Sequence, residues 1–426
     1  MPPALSIDET QATAKPKAVA SADKHIWGIF IALCIISTIE LYSASSREVA
    51  GSSIGVMGPI LRHLVMLAGG TFVVWFLSRR HYSDFIPFTL GFSLLSVAMM
   101  LYVMFFGDII NGARRSMTIL GIGIFPAEMV KISAVLLIAL VMTWNPDTRK
   151  PGVTSKAVIY SGFIVLLLSG LLIEQGLTNT LLLLAISYSM MIIGGVKISH
   201  LLTLTGAYIA VAAIFLGYIW MTDGGRIETW RARIERHADT RIENGQEVVV
   251  NKWDIPATGK NRQEIISYMA QANGGIHGVG PGNSREASRL PLAFSDYIFA
   301  IIIEELGLIG GLVVLMLYLW LLGRAAGIAS HCNRTYPALV VIGMAVMIAF
   351  QALFHMGIVS GVFPVSGQPL PLLSKGGTSI FVTAIAFGIM LSISRTATRQ
   401  GGKKQDIRDE IEALPEQFGA ENQMQL

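Results

Sequence analysis

Apolar residues run along this chain in blocks of roughly twenty separated by short polar breaks, and blocks of that length predict helices that cross a bilayer. Ten spans are predicted, over 26–44, 57–78, 86–106, 125–144, 157–173, 179–195, 199–221, 297–323, 336–357 and 377–394. The pattern lacks the short alternating segments of a transmembrane barrel. The expected fold class is therefore an all-α polytopic membrane protein of about ten transmembrane helices. Residues 1–24 are polar, aperiodic and contain Pro2, Pro3 and Pro16, which reads as a disordered tail. Residues 395–426 read as a charged, solvated tail, leaving 25–394 as the membrane domain.

The one long break, about 222–296, lies between the seventh and eighth spans. Inside it, Glu228–His237 (ETWRARIERH) has helical spacing with Trp230 and Ile234 on one face. That pattern fits an interfacial helix as well as one that meets phosphates. Residues 240–260 read as a hairpin or irregular insertion, with Asn244-Gly245 as the turn signal. A short helix is expected over 263–271, leading into a glycine-rich stretch.

Composition agrees with the pattern. The chain of 426 residues is 53% hydrophobic and 14% charged, with mean hydropathy +0.58; soluble proteins carry about 25% charged residues. The net charge of +4 bears mainly on topology. Lys and Arg concentrate in one set of connections, among them Arg79, Arg80, Arg149, Lys150, Lys197, Arg324 and Arg334, and in both tails. By the positive-inside bias both termini are cytoplasmic, and the 222–296 loop is extracytoplasmic. Arg114 and Arg115 run against the bias, which suggests an anionic ligand. Cys34 and Cys332 suggest neither a disulfide framework nor a metal site. The first span is too long, and its flank unsuited, for a cleavable signal.

Four stretches carry candidate chemistry. Asp296 sits where the polar loop meets the eighth span; it fits a general base at the water–membrane boundary and equally a helix N-cap, the commoner use. Glu304 and Glu305 lie two turns inside that span. At about 100° per residue they face different sides and cannot both line one cavity, so one is expected to pair with a buried cation. Glu128 and Lys131, in FPAEMVK, are spaced i,i+3 to pair on one face, as a clasp or a cavity wall. Just upstream, Arg114 and Arg115 of GARR suit a phosphate or act as interfacial anchors. Residues 355–379 (HMGIVSGVFPVSGQPLPLLSKGGTS) are rich in Gly and Pro. Such backbone at this depth must be packed in protein or line a wet cavity. There the free amides, among them those of Gly376 and Gly377, and the hydroxyls of Ser374, Thr378 and Ser379 could bind an anion.

Taken in order, YSASS at 42–46, GARR at 112–115, FPAEMVK at 125–131, TWRARI at 229–234, GGIHGVGPGNS at 274–284, LPLAFSDYIFAIIIEELGLIGG at 290–311 and MGIVSGVFPVSGQPLPLLSKGGTS at 356–379 resemble the SEDS family. These are the shape, elongation, division and sporulation proteins, and the match is nearer to the cell-division branch. Three motifs depart from the family pattern. Leu292 and Phe294 replace a glutamate and a histidine, QGLTN at 175–179 lacks the acid of PDLGT, and Lys375 replaces the tyrosine of SYGG.

The resemblance implies a peptidoglycan glycosyltransferase that polymerises lipid II at the outer face of the cytoplasmic (inner) membrane, at the division septum. It implies Asp296 as the base and Arg114 and Arg115 as counter-charge for the departing diphosphate. Glu128 and Lys131 would shape the cavity, with Ser374, Gly376, Gly377 and Thr378 on the substrate. It allows a divalent cation, magnesium or manganese, whose ligands it does not identify, and no organic cofactor. Implied partners are lipid II, the undecaprenyl-diphosphate-linked glycan, a class B penicillin-binding protein (the septal transpeptidase) and other division membrane proteins, with no nucleic acid. A lipid II flippase and a non-catalytic scaffold for the transpeptidase are the competing readings.

Overall fold

A computed structural model of the chain describes residues 22–44, 57–110, 113–119, 122–144, 153–173, 175–221, 240–243, 246–249, 261–290, 293–375 and 377–412. The first predicted tail up to residue 21, the helix expected over Glu228–His237, Leu292 and Gly376 lie outside the described residues.

Every predicted span coincides with an apolar helix: α1 (Lys24–Ala44), α2 (Met57–Ser78), α3 (Phe85–Phe106), α4 (Pro126–Thr143), α5 (Ser155–Ile173), α6 (Leu177–Ile193), α7 (Ile198–Met221), α9 (Ile298–Ser330), α10 (Thr335–Val359) and α11 (Gly377–Glu412). Eight contain windows long and apolar enough to cross a membrane; Leu177–Ile193 and Ile198–Ala213 are shorter apolar helices. The chain is a multi-pass helical membrane protein. The helix α8 (Arg262–Gly274) lies within the long loop, close to its expected place. In that loop β4 (Thr240–Glu243) and β5 (Gln246–Val249) pair antiparallel across the Asn-Gly turn signal.

Two helices outrun their predicted ends. α9 continues through Arg324–Ser330, and α11 runs to Glu412 through residues read as a solvated tail. Helical bonding satisfies the backbone in water as in lipid, so hydropathy does not mark these ends. The segment between α3 and α4 is also more ordered than expected. It is an antiparallel meander of β1 (Asp108–Ile110), β2 (Ala113–Ile119) and β3 (Ile122–Ile124).

Helices α4, α9, α10 and α11 are mostly buried, whereas α2 and α3 present Phe72, Trp75, Leu94 and Phe106 outward. Apolar side chains on the rim suit a bilayer. In the centre, Phe30 of α1 meets Phe387 of α11 edge to face at 5.3 Å.

The feature that orders the polar end is a break in α9 at Gly307 (φ 72°, ψ −177°). The glycine-rich stretch after α8 enters the break. Leu308 and Ile309 donate N–H to the carbonyls of Gly275 and Ile276 at 2.9 and 3.3 Å. In return Val279 and Gly280 donate to those of Glu304 and Glu305, both at 2.9 Å. A Cβ on Gly307 would lie 2.2 Å from the Ile276 oxygen, and one on Gly278 (φ 79°) 2.1 Å from that of Glu305. Only glycine fits such positions.

Candidate active site

The loop wedged into α9 explains the two buried glutamates. Glu304 accepts from the Ser284 hydroxyl and from the amides of Arg285 (3.1 Å) and Glu286 (3.4 Å). Glu305 accepts from the Gly282 amide at 3.0 Å. Both serve the same loop, contrary to the wheel projection, because the helix is interrupted and the loop wraps its broken end. What meets Glu304 is a set of backbone amides, not a buried cation. These charge-assisted bonds are worth about 1.5–3 kcal/mol each, and they anchor the segment that leads to Asp296.

Asp296 does not cap α9. The cap position is Tyr297, with no side-chain cap bond. The half-buried Asp296 carboxylate instead stands against Gly367, where a Cβ would lie 2.9 Å from Oδ2. Burial raises Asp296 above the ordinary carboxylate range; a hydrogen bond from Ser295 and the charge of Arg115 pull the other way without cancelling it.

Strand β2 decides what the arginines do. Consecutive strand residues point to opposite faces, so the pair does not form one clamp. Arg114 is exposed, while Arg115 turns inward, its Nη2 3.7 Å from where a Cβ on Gly176 would be. Gly176 is the position at which QGLTN lacks its acid, and the carboxylate interacting with Arg115 here is Asp296. Gln175 of the same stretch donates to the Arg114 carbonyl at 3.2 Å, tying α6 to β2.

The expected pair forms in α4, with Lys131 Nζ 2.7 Å from Glu128 Oε1, both side chains almost fully buried. A third member was not anticipated. Gln351 of α10 accepts from Lys131 at 3.0 Å and donates to Glu128 at 3.2 Å. It also donates to the Pro369 carbonyl at 3.2 Å. A glutamine inside an apolar span was the available signal.

In the stretch 360–375, Val362, Phe363 and Gly367 are exposed, whereas most of Gln368–Ser374 is buried in protein. Its carbonyls are taken by side chains from several helices: His355 on Gln368 O (2.6 Å), Gln351 on Pro369 O, Tyr318 on Pro371 O (2.6 Å) and Ser37 on Leu373 O (3.3 Å). Leu372 adopts φ 64°, a left-handed conformation costly for leucine. The amides of Gln368, Leu370, Leu373, Ser374 and Lys375 are committed within the protein.

Ser374 and Thr378 were expected on the substrate, but here they are staples. Ser374 donates to the Ser295 carbonyl at 2.7 Å and accepts from Leu370 N. Thr378 donates to the Gly123 carbonyl at 2.6 Å and accepts from Phe125 N. Neither has a hydrogen left for an anion. Gly377 opens α11. Two departures from the family pattern meet each other, with Lys375 Nζ 4.7 Å over the Phe294 ring. Among the described residues no three His, Cys, Asp or Glu side chains gather as a metal would need. Asp296, beside a guanidinium, does not make a metal site by itself.

The arrangement joins a carboxylate that burial keeps basic to a cation, at the polar end of a membrane bundle. A model of the cell cycle protein family FtsW/RodA/SpoVE matches residues 23–399. The chain is 29% identical to the probable peptidoglycan glycosyltransferase FtsW of Enterococcus hirae over 90% of this chain and 94% of that one. It is 30% identical to the FtsW of Bacillus subtilis over 91% and 94%. It also superposes, with a TM-score of 0.65 and 22% identity, on a chain from a peptidoglycan synthase complex that coordinates polymerization and crosslinking, covering 88% of this chain and 98% of that one.

Proposed function

The chain belongs to the FtsW/RodA/SpoVE family of cell cycle proteins, and from that premise we propose that it is a peptidoglycan glycosyltransferase polymerising lipid II at the outer face of the cytoplasmic membrane during septal wall synthesis. The observation that carries this reading is the Asp296 carboxylate, half-buried at the end of the bundle, backed by Gly367 and accompanied by Arg115. The similarity to FtsW proteins and to a peptidoglycan synthase chain supports the same assignment and a class B penicillin-binding protein as partner.

Ionised Asp296 takes the proton of a sugar 4-hydroxyl on one lipid II. The oxygen attacks the anomeric carbon of the growing glycan, forming the new glycosidic bond. The bond from that carbon to the diphosphate breaks, and undecaprenyl diphosphate departs with the electron pair. Attack and departure occur on opposite faces, so the configuration inverts. Arg115 offsets the negative charge gathering on the leaving group. Arg114, on the outer face of β2, suits the diphosphate of an approaching lipid. Glu128, Lys131 and Gln351 hold the floor, and Ser374, Gly377 and Thr378 fix the loops around it.

The test is polymer formation from added lipid II by the protein with its transpeptidase partner. Asp296→Asn keeps the shape and removes the base, so glycan strands disappear. Persistent polymerisation would refute the role of Asp296. A protein that moves labelled lipid across vesicles but makes no polymer is a flippase, and one that does neither is a scaffold.

A further inference from the structure

We propose that His355 is a positioning residue for Asp296: its Nδ1–H holds the Gln368 carbonyl and thereby fixes the Gly367 backbone against the carboxylate. This rests on the reading of Asp296 as the base.

His355 lies in the last turns of α10, 1% exposed, with Nδ1 2.6 Å from the Gln368 oxygen. A carbonyl only accepts, so Nδ1 carries the hydrogen and Nε2 is left with a lone pair. Among the described residues Nε2 has no hydrogen-bond partner. A buried ring nitrogen without a partner loses its hydration uncompensated, so the residue is poorly explained as a stabilising one. What it gains is the single bond at Nδ1.

That bond falls one peptide from Gly367. Gln368 N returns to the Ser366 carbonyl at 2.9 Å, closing a tight turn with Gly367 at its tip. The turn is gripped from two sides, by His355 of α10 and by Asn179 of α6, whose Oδ1 accepts from Gln368 Nε2 at 3.0 Å. Its tip presses on Asp296 with no room for a methyl group. The turn therefore sets both the direction of the carboxylate and how much water reaches it. Releasing the Gln368 carbonyl lets the tip retreat, and Asp296 gains water and freedom. The charged group acting on it is Arg115 of β2, and changes at His355 leave that group in place.

The experiment compares His355→Asn, His355→Leu and Asp296→Asn with the parent protein in complex with its partner. It reads lipid II polymerisation against pH together with thermal unfolding. Asn places an N–H donor where Nδ1 stood; Leu fills similar volume and donates nothing. Displacing a catalytic group by about 1 Å costs on the order of 10²-fold in rate, so His355→Leu is expected to lose between about 10- and 10²-fold. A better-hydrated carboxylate ionises more readily, so the acid limb of its pH profile moves to lower pH. His355→Asn is expected to restore both rate and limb. Should His355→Leu fail to accumulate, His355→Ser, too short to reach the carbonyl, takes its place. An unmoved limb, or an Asn variant no better than Leu, overturns the proposal while the dead Asp296→Asn control leaves the base intact. An active Asp296→Asn overturns the underlying reading as well.

Discussion

Gly307→Ala tests whether the glycine-rich loop is truly part of α9. The new methyl would lie 2.2 Å from the Ile276 oxygen and 2.5 Å from Gly278 N, both backbone atoms that cannot swing aside. Holding alanine at φ 72° costs about 1–2 kcal/mol. If the loop backs away, the bonds from Leu308 and Ile309 to Gly275 and Ile276 go first; at about 1 kcal/mol each they add roughly 2. The sum, near 3–4 kcal/mol, corresponds to an open population larger by about 10²-fold or more. Limited proteolysis of the detergent-solubilised protein reads that population, with new cleavage expected between residues 275 and 290. Gly323→Ala is the control: it lies in the same helix with nothing within 4 Å of the added carbon, and resistance should hold. The two variants cleaving at equal rates would refute the wedge. Because the loop leads to Asp296, polymerisation should fall together with protease resistance.

Lys131→Met leaves Glu128 buried without its cation, a loss of about 3–5 kcal/mol; it should show as a lower unfolding temperature, partly recovered by adding Glu128→Gln. Burial raises Asp296, and as the proposed base it must be ionised to act, so activity should be present above its pKa and lost as pH falls through it. The acid limb is therefore expected above the ordinary carboxylate value of about 3.9, and Arg115→Met, by removing a cation, should move it higher still in a pH–rate profile. At the opposite end of the bundle, burial alone would raise Asp23, but its bond from Arg324 and the amides of Ile26 and His25 hold it below its usual value. Its stabilisation is present above the unfolded value and lost as pH falls through the folded one. Asp23→Asn should therefore lower the unfolding temperature at neutral pH, and the difference should vanish in acid.

The helices were legible because lipid imposes a length. The span expected over 86–106 is α3 at Phe85–Phe106, and that over 336–357 is α10 at Thr335–Val359. Contacts between distant segments were not legible. A wheel projection sets Glu304 and Glu305 on different sides, yet the loop that enters the break at Gly307 wraps the helix end and meets both. In residues 108–124 the charges of Arg114 and Arg115 were legible, but not the strand that turns them to opposite faces. Asp296, Arg115, Glu128 and Lys131 could be picked out because a charge near lipid stands out in a sequence. Gln351 and His355 were hidden, since a neutral polar residue in a span discloses its partners only once the re-entrant loop is in place.

The same geometry shows how the departures from the family pattern are accommodated. Phe294 and Lys375 belong to different motifs, yet the ammonium lies over the ring and the Lys375 amide donates to the Phe294 carbonyl at 2.8 Å. A histidine and a tyrosine have thus been exchanged for a cation and its aromatic seat. At Gly176 the absence of an acid leaves Arg115 facing a backbone. With no second carboxylate supplied from QGLTN, the guanidinium's influence falls on Asp296. These departures bear on the charge near Asp296, whose supports lie elsewhere. Those supports are the glutamates on loop amides, the glutamine between Glu128 and Lys131, and the side chains that grip the loop behind Gly367. In the proposed mechanism, those contacts fix where Asp296 stands, and Lys375 and Arg115 set the charge around it.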